Sequence, residues 1–114
     1  MRSREDKDQA FLDDIREACA IILSRTENKQ LPDFVADSGL QDGVVLRLAF
    51  IGEASKNLTE KARRQYPDVQ WRDMARLHDL IVHSHWKGLR PEIDSLKIWK
   101  IVRDDIPRLL EILS

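Results

Sequence analysis

The sequence predicts an all-α fold, an antiparallel bundle of four main helices with short helical turns between them. Three observations carry that prediction. Apolar residues recur at three- and four-residue spacing along almost the whole chain, which marks one buried face per helix. Glycine and proline, four each in 114 residues, are too few for a turn-rich sandwich or barrel. No internal repeat, low-complexity tract or linker interrupts the pattern, so residues 1–114 read as a single domain.

Each element follows in order. Phe11, Ile15, Ala18 and Ile22 mark one face of a first helix, from about residue 5 to 25. Pro32 and Asp33 open a short turn holding Phe34 and Val35, and Gly39 breaks the pattern after it. Val44, Leu48, Ile51 and Leu58 define a long second helix, roughly 41–65, which ends before Tyr66-Pro67-Asp68. A third runs from about Trp71 to Val82 with Met74, Leu77 and Ile81 on one side, and Pro91 closes the next loop. Leu96, Trp99, Val102, Ile106, Leu109 and Leu113 form the last stripe, with Pro107 expected to kink or restart the helix.

Composition excludes several classes of function. The longest uninterrupted apolar runs, such as Leu80-Ile81-Val82, are far too short to span a membrane, and the first residues show no secretory signal. The cytoplasm is therefore the expected compartment. A single cysteine, Cys19, excludes an internal disulfide and a cysteine-cluster metal site. Net charge is −1, so the whole chain is not a general nucleic-acid binder. The charge is uneven, however: residues 1–59 carry 8 basic against 11 acidic side chains, and residues 60–108 carry 11 against 8. A solvated charged surface also gives such an asymmetry.

The chemistry-bearing residues cluster on the third helix. All three histidines, His78, His83 and His85, fall within eight residues at its end. At 100° per residue, Arg72, Arg76, Asp79 and His83 share one side, opposite Met74, Leu77, His78 and Ile81. Asp79, one turn before His83, and the negative end of the helix both favour a protonated imidazole. Arginines one and two turns back could each bind a phosphate through two parallel hydrogen bonds. Such a stripe suits cleavage of a phosphodiester without metal: histidine moves protons, and arginine steadies charge on phosphorus. A salt-bridged solvent face has the same spacing. His78, on the apolar side, also reads as a core histidine, and Trp86 and Trp99 as core rather than as stacking platforms. A zinc site from His78, His83 and His85 fits poorly, because His83 and His85 cannot share a helical face.

Three segments resemble one family. RLAFIGEASKNL (47–58), VQWRDMARLHDLIVHSHW (69–86) and WKIVRDDIPRLLEIL (99–113) resemble segments of the HepT-like HEPN proteins of prokaryotes, and the resemblance covers about residues 8 to 113. It implies an all-α bundle that dimerises, with the Arg-x4-His motifs of two subunits facing a shared cleft. Active members are metal-independent endoribonuclease toxins that need no cofactor. Their partner is a nucleotidyltransferase of the MNT type, which in several members neutralises the toxin by attaching AMP to a motif tyrosine.

The motif carries over only in part. His83 matches the motif histidine and Asp79 the polar residue after the motif arginine. His78 stands at the arginine position and His85 at the tyrosine position, while the single tyrosine, Tyr66, is far away in sequence. Arg76 meets a looser spacing to His83 but lies about 160° from position 78 around a helix. The resemblance thus implies His83, His78, Arg76 and Asp79 as catalytic residues and Arg72 with Arg76 as RNA-binding residues. The alternative is a degenerate module that binds the nucleotidyltransferase without cleaving RNA.

Overall fold

A computed structural model describes residues 3–81 and 95–114. Helix α1, Arg4–Thr26, starts at Ser3, whose hydroxyl accepts from the Asp6 amide at 3.1 Å. Helix α2, Leu31–Ala36, is one short turn with proline in its first positions. Helix α3, Ser38–Asn57, is capped by Asp37, whose carboxylate accepts from the Leu40 amide at 2.9 Å. Helix α4, Glu60–Arg64, is capped by Thr59, and α5 spans Trp71–Ile81. The last run consists of α6, Ser95–Lys100, a π-helical turn, Ile101–Asp105, and α7, Ile106–Leu113. The four main helices of the bundle are α1, α3, α5 and this last run.

The helices pack antiparallel around one core. α1 lies between α3 and α7, and α5 covers the other side of α3. Asp8, buried near the start of α1, accepts from the Thr59 amide at 2.9 Å and hydroxyl at 2.6 Å just beyond the end of α3. Arg16 Nε donates to the Leu113 carbonyl at 2.6 Å, while Arg103 donates to the Thr26 and Lys29 carbonyls at the far end of α1. Arg103 also lies 4.3 Å from the Trp99 ring centroid, and Trp99 packs on Phe34 from α2. Trp99 is therefore core, as expected. Ile15, Ile22, Leu48, Ile51, Ile81, Val102 and Ile106 are fully buried, so the stripes read from the sequence do meet.

Three expectations are corrected. The second helix stops at Asn57 rather than near residue 65, because Leu58 turns into the core and Thr59 caps a separate α4. Gly39 does not interrupt anything; it sits in the first turn of α3, and the break falls at Asp37. Pro107 does restart the helix, as expected, standing in the first positions of α7. It has no N–H for the Arg103 carbonyl and its ring would crowd that group, and the preceding turn widens so that the Ile106 amide reaches Ile101 O instead. Leu96, placed on the buried stripe, is exposed. Val82, Trp86 and Pro91 lie outside the described residues. Among the described residues, no helix is long and apolar enough to cross a membrane.

Candidate active site

The site begins at a close approach of two backbones. Gly52 on α3 faces His78 on α5, and a Cβ at Gly52 would stand 2.9 Å from His78 Cβ and 3.0 Å from its Cα, nearer still to its amide nitrogen. Only a residue without a side chain lets the helices meet there. Met74, Leu77 and Ile81 bury themselves against the core below this seam. His78 stays at its edge, with a side chain 30 % exposed. It is thus not a core histidine: its ring meets polar groups, with Nε2 3.6 Å from Glu53 Oε2 and Nδ1 3.5 Å from Asp79 Oδ1.

A lysine from α3 completes this cluster. Lys56 Nζ donates to Asp79 Oδ1 at 2.6 Å and lies 3.4 Å from His78 Nδ1. Hydrogen bonding from the Lys56 ammonium outweighs desolvation and, with a smaller contribution from His78, holds the Asp79 carboxyl below its usual value. No reading of α5 alone shows Lys56, because its partner sits 23 positions away on another helix. The small residue at position 52, one turn before Lys56, is the only sequence signal of this close seam.

Beside the cluster lies a cleft of about 320 Å³ lined by Lys56, Arg63, Trp71, Arg72, Ala75, Arg76 and Asp79. Four cations face one carboxylate there. Arg63 turns back on α3, donating to the Ser55 and Lys56 carbonyls at 3.2 Å each. The indole N–H of Trp71 donates to the Arg63 and Tyr66 carbonyls, both at 3.1 Å, so the start of α5 is pinned to α4. Because Asp79 pairs across to Lys56, it forms no ion pair with Arg76; among the described residues neither Arg72 nor Arg76 has an acidic partner. Arg72, Arg76 and Asp79 are exposed and Asp79 is salt-bridged, as on a solvent face, but the bridge crosses to α3 instead of closing along α5.

The structure therefore brings Arg72, Arg76 and Asp79 together in the cleft and places His78 at the adjoining seam, joined to it through Lys56 and Asp79. His83 and His85 lie outside the described residues. Tyr66 is a structural residue, its hydroxyl 3.4 Å from Arg16 Nη2. Among the described residues, no three His, Cys, Asp or Glu side chains converge in a way that would hold a metal ion. A second cleft, about 380 Å³, runs between α1 and α3, with Phe11, Ala18, Ile21 and the exposed Phe50 as its apolar surface and Asp14, Glu17 and Glu53 on its lining.

Comparison with known proteins places this chain in a family. A family model described as "HepT-like: Ribonuclease HepT-like" matches residues 15–114. A Thermococcus cleftensis protein named "Probable ribonuclease HepT" is 38 % identical over 106 residues, which is 93 % of this chain and 90 % of that protein. A Methanocaldococcus jannaschii protein named "Putative RNase MJ0127" is 40 % identical over 99 residues, 87 % of this chain and 78 % of its own length. No solved structure matches the chain. With its helical bundle and with the family model matching its last 100 residues, the chain belongs to the ribonuclease HepT-like family.

Proposed function

We propose that this chain, as one HepT-like domain over residues 1–114, is a metal-independent endoribonuclease, the toxin of a HEPN/MNT toxin–antitoxin pair in the cytoplasm. One observation carries the reading. Among the described residues, Arg72 and Arg76 stand without acidic partners in a four-cation cleft that adjoins an imidazole at His78. A surplus of guanidinium groups beside a proton-carrying ring suits an RNA phosphodiester better than it suits a neutral metabolite. The names of the relatives agree with that substrate class.

In the reaction a ribose 2′-oxygen attacks the adjacent phosphorus and gives its proton to a base, His83. The bond from phosphorus to the 5′-oxygen breaks, and that oxygen takes up a proton. The products are a 2′,3′-cyclic phosphate and a free 5′-hydroxyl. His78 or Arg76 steadies the charge that builds on the phosphoryl oxygens, and Arg72 with Arg76 holds the strand. The chain works as a homodimer. Phe11 and Phe50 expose an apolar cleft that also includes Glu53, so a second subunit seated there lies beside His78. The nucleotidyltransferase partner restrains the toxin by covering the His83 region. Modification at residue 85 is not the means, because an imidazole–AMP phosphoramidate is too labile for a durable block.

Cleavage of single-stranded RNA by the purified protein in EDTA tests the reading. His83→Ala is expected to lower the rate by roughly 10²–10⁴-fold, the range for loss of a general acid or base. Full activity in that variant refutes the assignment. A parent protein that binds RNA or the nucleotidyltransferase but does not cut favours the degenerate module, which the substitution of His78 and His85 into the motif positions also supports.

A further inference from the structure

We propose that Lys56 is the cation that meets the RNA phosphate at His78, an inference that rests on the RNA-binding part of the function proposed above. A phosphate beside an imidazole needs a positive group within reach of the same oxygens. Helix α5 does not supply one at His78. Its arginines at 72 and 76 face the cleft, and Arg76 is about 160° from position 78 around the helix. Helix α3 does supply one, because Lys56 Nζ stands 3.4 Å from His78 Nδ1.

The ammonium is also held ready. Asp79 Oδ1 takes one of its three donors at 2.6 Å, which fixes the long side chain beside the imidazole. The remaining donors serve a phosphate oxygen, and the Lys56 side chain is 35 % exposed, open to a ligand arriving through the cleft. Lys56 and Asp79 are the two residues shared by the His78 cluster and the cleft. A strand whose phosphates follow Arg72 and Arg76 thus reaches His78 by way of Lys56. The pair is not needed to hold the helices together: Gly52 and the buried face of α5 already do so, and a half-exposed ion pair contributes little.

The test uses the full chain and a fluorescein-labelled single-stranded oligonucleotide carrying 2′-O-methyl groups, which binds but has no free 2′-hydroxyl to react. Anisotropy titrations across a range of salt compare the parent with Lys56→Ala, Lys56→Arg and, as a surface control, Lys61→Ala, whose lysine pairs with Glu5. Lys56→Ala is expected to bind about 10-fold more weakly, with the slope of log K against log[salt] reduced by about 0.7, the value for one lost phosphate contact on a single strand. Lys56→Arg should restore binding to within about 3-fold, and Lys61→Ala should match the parent. Parental affinity and slope in Lys56→Ala, or no binding by the parent, overturns the inference. Cleavage of unmodified RNA is read separately. A parent that binds through Lys56 without cutting sinks the nuclease reading and supports this inference. A parent that cuts, with Lys56→Ala cutting as fast, sinks the inference and leaves the nuclease.

Discussion

Two glycine-to-alanine substitutions in one helix should have opposite signs. At an ordinary mid-helix site Gly→Ala gains about 1 kcal/mol of helix propensity. Gly43 is such a site: an added Cβ meets only the Arg25 Nη1 tip at 3.4 Å, and that flexible end moves aside. Gly52 is not. Its new Cβ would fall 2.9–3.0 Å from His78 Cβ and Cα and closer to the His78 amide, and helix backbone cannot swing away. Ordinary contact requires α5 to retreat by roughly 1 Å along the most extensive helix pair of the chain. Overpacking of this kind costs about 1–3 kcal/mol and more when backbone must shift, so after the propensity gain Gly52→Ala should destabilise by about 1–3 kcal/mol. At about 4 °C per kcal/mol that is a fall in Tm of roughly 4–12 °C, against a rise of up to about 4 °C for Gly43→Ala. Urea and thermal unfolding followed by far-UV circular dichroism measure both. If Gly52→Ala were as stable as Gly43→Ala, the close α3–α5 seam would be wrong, and the placement of Lys56 against His78 with it.

Asp79 should titrate below its usual 3.8, held down first by its hydrogen bond from Lys56. A carboxyl depressed in the folded state stabilises the fold above its unfolded pKa, and that contribution fades as pH falls through the lower folded value. NMR titration of the carboxyl should show the low midpoint, and Lys56→Gln should raise it; an unmoved midpoint would mean that the ion pair does not form in solution. Cys19 is fully buried, and desolvation pushes its thiol up to about 12, so iodoacetamide at pH 8 should not label the native protein but should label it in urea. Rapid labelling of the native state would contradict the packing of α1 against the core.

The sequence made most of the fold legible because each helix carries its own buried stripe. Ile15 and Ile22, Val44 and Leu48, Leu77 and Ile81, and Val102 and Ile106 all sit where 3.6-residue periodicity puts them. Breaks were harder to read. Leu58 continues the apolar period of α3 although the helix has ended, and only the cap at Thr59 marks the end. Pro107 restarts a helix as its missing donor suggests, and only the π-turn that precedes it has no signal in the periodicity. The stripe on α5 gave Arg72, Arg76 and Asp79 correctly as neighbours, yet periodicity describes one helix at a time. It pairs Asp79 with residues three or four places away on α5, whereas the close approach at Gly52 offers it Lys56.

That difference decides what the cleft offers a ligand. Had Asp79 paired with Arg76, the cleft would hold the same four cations and one carboxylate, but Lys56 would be left over in place of Arg76. Instead the carboxylate is occupied by a lysine from α3, and Arg63 faces the carbonyl end of that same helix, where its charge is partly answered by the helix dipole. The surplus of the site therefore falls on Arg72 and Arg76, two guanidinium groups one turn apart on a helix whose start is pinned by the Trp71 indole. The net charge of −1 is no objection to RNA binding, since among the described residues the cations at Arg72 and Arg76 are left unanswered by local pairing and not by an excess of basic residues.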